Sequence, residues 1–352
     1  MEQPKENKMG TMPVNKLLVT MSLPMVISMI LQALYNIVDS IFVSRLSEDA
    51  LTAVSMAFPM QNLMISVAVG TGVGINAMLS RALGEKKFEA ANKTAENGIF
   101  IEVLGYVLFL LIGIFVTKPF FLAQAGAGDI ANMGIEYTRI CLLMSFGIFM
   151  QIGFERILQS TGRTIFTMIT QSTGAIINII LDYVFIFQLG WGMMGAAFAT
   201  SLGTMVGGLM TLIYLLRFSR NVGIYRIKLS RKSMRLTCRN IGYMIRLGSS
   251  AFISEASIAS MMFLGNYVFI SHLGESGVAA FSIVCYFFPI IFMVYNAIAQ
   301  SAQPIISYNF GQQNPGRVAR TIRLALKTAL GCGIFFLAAT LVFNHQIVGL
   351  FI

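Results

Sequence analysis

Charged residues are scarce in this sequence. Asp, Glu, Lys and Arg make up 11% of its 352 residues, whereas about 25% is usual in a soluble domain. A larger hydrophobic core cannot explain the deficit, because even large globular domains keep a charged surface. With hydrophobic residues at 56%, the composition indicates a chain that lies mostly in lipid. It argues against a soluble enzyme, a nucleic-acid-binding protein and a disordered protein.

Residues that build metal or disulfide sites are also few. The four cysteines, at positions 141, 238, 285 and 332, are far apart, so they predict neither a disulfide framework nor a zinc site. The sequence contains no zinc-protease helix motif, nucleophile elbow or Walker loop. These absences predict a protein that is not an enzyme and has no cofactor. Any transport would then depend on an ion gradient.

Long runs without charge locate the membrane spans. Residues 51–80, 183–216 and 276–316 contain no Asp, Glu, Lys or Arg, and about 20 apolar residues suffice for a helix to cross the hydrocarbon core. The sequence therefore predicts an all-α polytopic membrane protein. Hydropathy, with the Gly, Pro and charge breaks, predicts nine helices, at residues 17–44, 51–80, 97–117, 133–157, 165–188, 194–217, 241–271, 278–308 and 322–344.

The basic residues predict the orientation of these helices. With the N-terminus in the cytoplasm, 22 of the 25 Lys and Arg fall on the cytoplasmic side, and only Arg45, Lys118 and Arg139 fall on the other. The positive-inside rule then places residues 1–16 in the cytoplasm and explains the net charge of +10 without nucleic acid. The most basic segment contains residues 218–240, which are predicted to be a cytoplasmic linker between two helix bundles. The alternative is that this segment binds anionic lipid.

The sequence repeats itself after 227 residues. Residues 22–84 align without a gap with residues 249–311, and the nine identities include Ser22 with Ser249 and Gly84 with Gly311. Six predicted helices separate the copies, so both copies run in the same direction, as parallel six-helix repeats do in secondary transporters. The first bundle covers residues 17–217. The second, residues 241–352, is predicted to hold three helices and to lack its last three.

Polar residues form stripes on the faces of several predicted helices. Because a charge at the bilayer centre costs roughly 2.5–3.5 kcal/mol, such a stripe is expected to face protein or water. Helical spacing places the polar residues of the first predicted helix on a single face of that helix. It does the same for the polar residues of the eighth. The residues that we expect to line a substrate cavity between the bundles are Gln32, Tyr35, Asn36, Glu255, Asn296, Gln300 and Gln303.

Asp39, Asp182 and Glu255 are the acids placed deepest in polar stripes, and Asp39 and Asp182 are the candidate acid pair. Burial and a neighbouring carboxylate both favour the protonated form of an acid. A buried acid pair can therefore take up a proton, or it can gather oxygen ligands around a hard cation such as Na⁺. Asn178 and Thr200 would be the neutral oxygen partners for either event. The alternative is that the two acids only bridge helices through hydrogen bonds.

Three other acids and one proline receive weaker predictions. Glu255 is as consistent with a structural role as with a functional one. Glu102 and Glu155 are expected near helix ends, with Glu155 and Arg156 paired at the membrane surface. Pro24, inside the first helix, predicts a kink. The kink is either static or a bend that responds to the state of Asp39.

Several short motifs follow one another in a characteristic order and spacing. They are Leu23-Pro24 with Asp39, Leu158-Gln159-Ser160-Thr161-Gly162, Asn178 with Asp182, Gly195-Ala196-Ala197 with Thr200, and Gln303-Pro304 with Tyr308-Asn309-Phe310-Gly311. Together they resemble the motifs of the multidrug and toxic compound extrusion (MATE) family, particularly its DinF-like branch. The resemblance covers nearly the whole chain.

This resemblance implies a two-lobed antiporter of twelve helices, of which about nine are present here. Family members expel cationic, amphipathic drugs in exchange for H⁺ or Na⁺ by alternating access. By resemblance, the coupling cation, Na⁺ included, would bind at Asp39, Asn178, Asp182 and Thr200 in the N-lobe. Glu255 resembles a glutamate of the NorM-like branch, whose partner acid lies in a helix that this chain does not reach. The implied form is a monomer in the bacterial cytoplasmic (inner) membrane.

Two other functions stay open. A flippase of lipid-linked sugars would share the two-bundle layout. It should hold pyrophosphate with buried Lys or Arg, however, and the predicted spans contain almost no basic residue away from their ends. A fragment that does not transport by itself would account for the early end of the second bundle.

Overall fold

The structure, a computed structural model, describes residues 7–222 and 231–343. Within these ranges the chain is helical apart from short connections. The α-helices are α1 (Lys8–Thr11), α2 (Val14–Ser44), α3 (Glu48–Gly84), α4 (Phe88–Phe115), α5 (Thr117–Ala125), α6 (Asp129–Leu143), α7 (Phe146–Ser160), α8 (Thr164–Asp182), α9 (Gly192–Val222), α10 (Arg231–Gly311) and α11 (Pro315–Val342), and a π-helical segment, Tyr183–Gln188, follows α8. We call α2–α9 the N-terminal bundle, and α10 with α11 the C-terminal helices.

The helices have the length and surface of membrane spans. Six described helices are long and apolar enough to cross a bilayer, and α6 with α7 make a seventh if this bent pair is one span. Large apolar side chains also cover the outside, where Leu326, Leu330 and Leu337 of α11 are each more than 60% exposed. Exposed leucines in such number are stable in lipid rather than in water. The all-α membrane prediction is confirmed, and the count of nine spans stays a prediction.

The predicted fourth helix, residues 133–157, is two helices in the structure. α6 and α7 meet at an angle of 43°. Between them, the nitrogens of Ser145 and Gly147 bond to carbonyls three residues back, those of Leu142 and Met144. Bonds of this spacing tighten the turn relative to an α-helix and redirect the chain. The hydropathy of this segment is continuous across the bend, which is why the sequence pattern did not predict it.

α10 contains both the predicted seventh and eighth helices, and the chain reverses within it. A straight α-helix of 81 residues would be about 120 Å long. The Asn296 amide nitrogen nevertheless donates to Glu255 Oε1 at 2.8 Å, across 41 residues of sequence. The chain must therefore fold back between these two residues. The first half of α10 and its second half both pack against the N-terminal bundle.

At the end of the molecule that carries most Lys and Arg, α3 and α10 close against each other; we call this end the basic end. There Gly84 at the end of α3 packs against the backbone of Tyr308, and Gly311 at the end of α10 packs against the backbone of Arg81. Any side chain at either glycine would collide with a carbonyl. The two contacts exchange under the 227-residue shift, since 84 and 81 correspond to 311 and 308. This reciprocity is expected where two copies of a repeat meet across a local two-fold axis.

The N-terminal segment adds to this closure. α1 lies before the predicted first helix, and Met9 is fully buried. Arg317 donates to the carbonyls of Met9 and Met12, at 3.0 and 2.8 Å, and Asn7 donates to the Thr161 carbonyl at 3.3 Å. Residues 7–13 thus join α7 to α11. The remaining residues of the predicted 1–16 segment, 1–6, and residues 223–230 of the predicted linker lie outside the described ranges.

Candidate functional site

Asp182 ends α8, where the helix passes into the π-helical segment. Its side chain is fully buried, and its Oδ1 atom has no hydrogen-bond partner. Asp39 of α2 lies within electrostatic range of Asp182, and its Oδ1 atom is also buried without a partner. π-helical turns often mark functional sites. A buried carboxylate oxygen without a donor needs a proton or a cation to satisfy it.

Asn178 joins Asp182 to Thr200. With the amide nitrogen of Asn178 facing Asp182, it donates to Oδ2 at 3.2 Å while the amide oxygen accepts from the Thr200 backbone nitrogen at 3.1 Å. In the reverse orientation, Nδ2 lies 3.4 Å from Thr200 Oγ1. The first orientation satisfies both ends of the amide. The structure thus brings the predicted coupling residues of α8 and α9 into contact, and Asp39 of α2 lies within electrostatic range of one of them, Asp182.

Glycines set the spacing between α8 and α9 that this contact requires. A Cβ atom added at Gly203 would lie 2.9 Å from the Asn178 Cβ and 2.9 Å from the Gly174 carbonyl oxygen. Both distances are closer than side chains tolerate. Small residues let two helices approach backbone to backbone. Asn178 therefore reaches Thr200 because Gly203 and Gly174 leave room for it.

A narrow cavity of about 100 Å³ lies beside this site, between α2, α3, α7, α8 and α9. Gln32 and Tyr35, two of the predicted substrate residues, line it together with Asn178 and Thr200. Asn36, from the same predicted stripe, is exposed and does not line it. Pockets that hold drug-sized ligands measure about 300–1,000 Å³. In this conformation the cavity suits a cation or a few waters, and a drug would require it to widen.

Glu155 is an acid of this cavity that sequence reasoning did not assign to it. Its side chain is 3% exposed, and it accepts from Gln151 at 3.0 Å and from Gln171 at 2.6 Å. All three residues line the cavity. Glu155 lies near the end of α7, as predicted, but the prediction that it forms an ion pair with Arg156 is wrong. Both are buried, and the ion pairs found in the described part of the chain do not include them.

Glu102 was likewise expected near a helix end, but this prediction is wrong. It is 1% exposed in the middle of α4, where its Oε1 accepts from Thr71 at 2.9 Å. The helix that was predicted to begin at residue 97 begins at Phe88, so Glu102 lies four turns inside it. The signals that could have revealed these acids are the position of Glu102 opposite Gly153 of α7 and the hydrogen bond of Glu155 with Gln171 of α8, and both need the tertiary structure.

Three of the remaining predicted substrate residues, Glu255, Asn296 and Gln300, belong to a second polar group that does not line the cavity. Arg156 donates to Gln300 Oε1 at 2.7 Å, Gln300 donates to Asn296 at 2.9 Å, and Asn296 donates to Glu255 at 2.8 Å. This chain of hydrogen bonds crosses from α7 to both halves of α10; we call it the arginine bridge. Gln303 instead donates to the Val73 carbonyl of α3 at 2.9 Å.

The two polar groups differ in their charge balance. Among the described residues, no basic side chain lies within ion-pair distance of Asp39 or Asp182. Nor does that part of the chain contain a cluster of three or more His, Cys, Asp or Glu that could hold a metal ion. Two carboxylates, the Asn178 amide and the Thr200 hydroxyl are nevertheless oxygen donors of the kind that Na⁺ accepts. The residues present therefore fit either a proton or Na⁺.

Pro24 lies buried inside α2, which runs without interruption from Val14 to Ser44. The helix tolerates the proline even though its ring removes one backbone hydrogen bond. A bend linked to Asp39 stays a prediction.

A sequence profile of the MatE family matches residues 24–184 and 251–352. The chain belongs to the MatE family. This is a family of membrane transporters, so the protein is a transporter and not an enzyme. The match covers both the bundle that holds Asp39 and Asp182 and the helices that hold Glu255 and Gln300.

Individual MATE proteins resemble the chain over most of its length. The multidrug export protein MepA of Staphylococcus aureus is 25% identical over 347 residues, which is 96% of this chain and 74% of MepA. A solved MATE structure in the straight conformation has a TM-score of 0.89, with 27% identity over 99% of this chain and 77% of that one. One in the bent conformation has a TM-score of 0.85, with 28% identity over 96% and 75%.

Proposed function

We propose that this MATE transporter is a secondary active multidrug exporter of the DinF-like branch. It would expel cationic amphipathic compounds in exchange for H⁺ or Na⁺. The observation that carries the proposal is the pair of acids, Asp39 and Asp182, each with a buried oxygen that lacks a donor and with no basic side chain of the described residues beside it. The export of drugs by MepA supports the substrate class.

The acid pair gives a physical reason for coupling. Two buried carboxylates repel each other and are poorly solvated, so the site gains most from an added positive charge. Asn178 and Thr200 complete a set of oxygen ligands for Na⁺, and a shared proton would serve the same purpose. A cationic drug is attracted by the same charge. Drug and coupling ion then compete for one negative region, which is the requirement for exchange.

The conformational step would be a bend of α2 at Pro24. α2 carries both Pro24 and Asp39, and the chain resembles the straight MATE structure with the higher TM-score of the two. Loading of Asp39 with a cation would favour the bent helix and shrink the neighbouring cavity. The drug would leave because the loaded cation and the drug favour different conformations of one bundle.

The closed basic end supports a direction for this cycle. With the basic end in the cytoplasm, the contacts of Gly84 with Tyr308 and of Arg317 with α1 close the inner side. The structure would then be an outward-facing state of a monomer in the bacterial inner membrane. The two lobes of the alternating-access cycle would be residues 17–217 and 241–352.

The test is dye efflux from energised cells that express residues 1–352. We expect gradient-driven ethidium efflux that an uncoupler or removal of Na⁺ abolishes, and that Asp39→Asn abolishes as well. Asp49→Asn removes an exposed acid of α3 and should leave efflux unchanged. Normal efflux by Asp39→Asn, or none from the unaltered and stably inserted chain, would contradict the proposal.

One feature of the structure favours the flippase alternative, and another argues against it. It requires a basic residue buried within the spans, and Arg156 is one. Three carboxylates, those of Glu102, Glu155 and Glu255, lie within electrostatic range of this arginine. They would repel a pyrophosphate group, so the surroundings of Arg156 favour cationic substrates.

A further inference from the structure

Arg156 has no part in the function proposed above, yet its position is unusual. It is an arginine one turn before the end of α7 and only 5% exposed, and a buried charge is costly unless other groups compensate it. Its Nη1 atom donates to Gln159 of its own helix at 3.1 Å and to Gln300 of α10 at 2.7 Å. The second bond joins the N-terminal bundle to the C-terminal helices across 144 residues of sequence.

Glu155 and Arg156 are neighbours in sequence with different surroundings. Glu155 lines the cavity of the N-terminal bundle and is held by Gln151 and Gln171. The Arg156 side chain contacts Gln300, and through Asn296 the arginine bridge continues to Glu255. One turn of α7 therefore presents a negative charge to the cavity and a positive charge to the contact with α10.

The charged groups around Arg156 come from three helices. They are Glu155 on α7 itself, Glu102 on α4 and Glu255 on α10. From α3, the described neighbours are the uncharged residues Gly72, whose Cα faces the arginine side chain, and Thr71, which bonds to Glu102. From α8, Gln171 contacts Glu155. Two of the three acids thus belong to the N-terminal bundle, and Glu255 belongs to the C-terminal helices.

We propose that Arg156 is a positioning residue of the transport cycle, the internal counter-cation whose attraction to the C-terminal helices depends on whether Glu155 in the cavity is charged or neutralised. This inference rests on the proposed exporter function. It adds a second cation-responsive element, separate from Asp39 and Asp182. The substrate class that it concerns is the organic cation that enters the cavity.

The direction of the effect follows from Coulomb's law. While Glu155 is ionised, its negative charge offsets the positive charge of Arg156, and the pair attracts Glu255 only weakly. When a cation binds beside Glu155, or Glu155 takes up a proton, the positive charge of Arg156 is no longer offset. Arg156 is then attracted to Glu255 and Gln300 across the contact. Loading the cavity therefore strengthens closure of the basic end, which is the step that an exporter needs after it binds its drug.

The experiment measures closure directly and does not depend on transport. Spin labels are placed at Ala90 and Ala319, two exposed alanines at the basic end of the N-terminal bundle and of α11, in a full chain whose four native cysteines are replaced. Electron–electron resonance distances then report the closed and open populations in nanodiscs. Tetraphenylphosphonium serves as the cationic probe, at pH 7.5 and with Na⁺ held constant.

Four chains give the decisive comparison. Glu155→Gln should raise the ratio of closed to open molecules by about fivefold or more, the lower range of coupling between sites, and Arg156→Gln should lower it. In the double variant, Glu155→Gln should have no further effect, because its influence acts through Arg156. Tetraphenylphosphonium should increase closure in the unaltered chain and not in Arg156→Gln. Glu136→Gln, which removes an exposed acid of α6, should change nothing.

Two results would overturn the proposal. One is an effect of Glu155→Gln that persists undiminished in the Arg156→Gln chain. The other is a closed population that Arg156→Gln leaves unchanged. If Arg156→Gln does not fold, Arg156→Lys keeps the charge with a weaker hydrogen bond, and Glu155→Gln must still raise closure in that chain. Asp39→Asn should retain the response of closure to Glu155→Gln, so failure of the exporter proposal is distinguishable from failure of this one.

Discussion

Two buried acidic regions of this protein solve the same electrostatic problem in different ways. Around Arg156, three glutamates share a cation that the protein itself supplies. Around Asp39 and Asp182, burial and mutual repulsion act with no basic residue of the described chain to oppose them. A region with a built-in cation has part of its negative charge balanced throughout the cycle. A region without one has to take its cation from outside, and this is why we expect it to couple to the gradient.

The largest expected effect comes from giving the aspartate pair an internal cation. Asn178→Lys would place an ammonium group beside Asp182, where it competes with the coupling ion. We expect gradient-driven efflux to fall on the order of 100-fold, near the upper range of site-to-site coupling. Ethidium efflux checks this, with Asn132→Lys on the exposed face of α6 as the control. Efflux near normal in Asn178→Lys would show that the two regions do not differ in the way proposed.

The next effect comes from removing the cation of the other region. Arg156→Met leaves the carboxylates around it without their counter-charge, and breaking a buried charge group of this kind costs about 3 kcal/mol. Unfolding in mixed micelles of increasing dodecyl sulfate measures the loss of stability. Adding Glu155→Gln should restore part of it, since one of the carboxylates is then neutral. An equal loss in the double variant would argue against charge compensation.

A smaller effect should follow from widening the space between α8 and α9. Gly203→Ala places a methyl group 2.9 Å from the Asn178 Cβ, and overpacking of this kind costs about 1–3 kcal/mol. We expect reduced stability together with reduced efflux, because Asn178 moves away from Thr200. Gly331→Ala in α11, where nothing lies within 4 Å, is the matched control. It should keep efflux intact and leave stability equal or slightly higher.

The smallest effect concerns the closure at the basic end. Arg317→Gln removes the donors to the Met9 and Met12 carbonyls, and because Arg317 is only half-buried, where water can replace these bonds, each contributes about 0.5 kcal/mol. The closed population between spin labels at positions 90 and 319 should decrease. The decrease should be the same with and without tetraphenylphosphonium, unlike that of Arg156→Gln. If tetraphenylphosphonium changed the decrease in closed population caused by Arg317→Gln, Arg317 and Arg156 would not differ in the way proposed.

Nearly all of the membrane character could be predicted from the sequence. The charge-free runs indicated helices, and the four-residue spacing of Asn178 and Asp182 placed both on one face of α8, where they lie. The 227-residue shift also predicted which segments correspond, and Gly84 and Gly311 make reciprocal contacts. These features are local or periodic, so they follow from the chain's own geometry.

Which residues line the substrate cavity could be predicted from the sequence only in part. Gln32 and Tyr35 line the cavity beside Thr200, whereas Glu255, Asn296 and Gln300 belong to the arginine bridge. A polar stripe shows that a helix face avoids lipid, but not which helix it meets. The bend between α6 and α7 and the reversal of α10 determine which helices these polar faces contact. The bend leaves no mark in hydropathy, whereas the break predicted between residues 271 and 278 shows that α10 reverses but not which helices its two halves contact.

The sequence by itself determined that the chain is a helical membrane protein, which of its ends is basic, and that Asp39 and Asp182 are poorly solvated acids, but it missed the burial of Glu102 and Glu155. Only the tertiary structure decided which of those acids has a positive partner. Gln300 reaches Arg156 from 144 residues away, and Glu255 reaches it through Asn296. The charge state of a buried acid depends on its neighbours in space, and long-range packing chooses those neighbours.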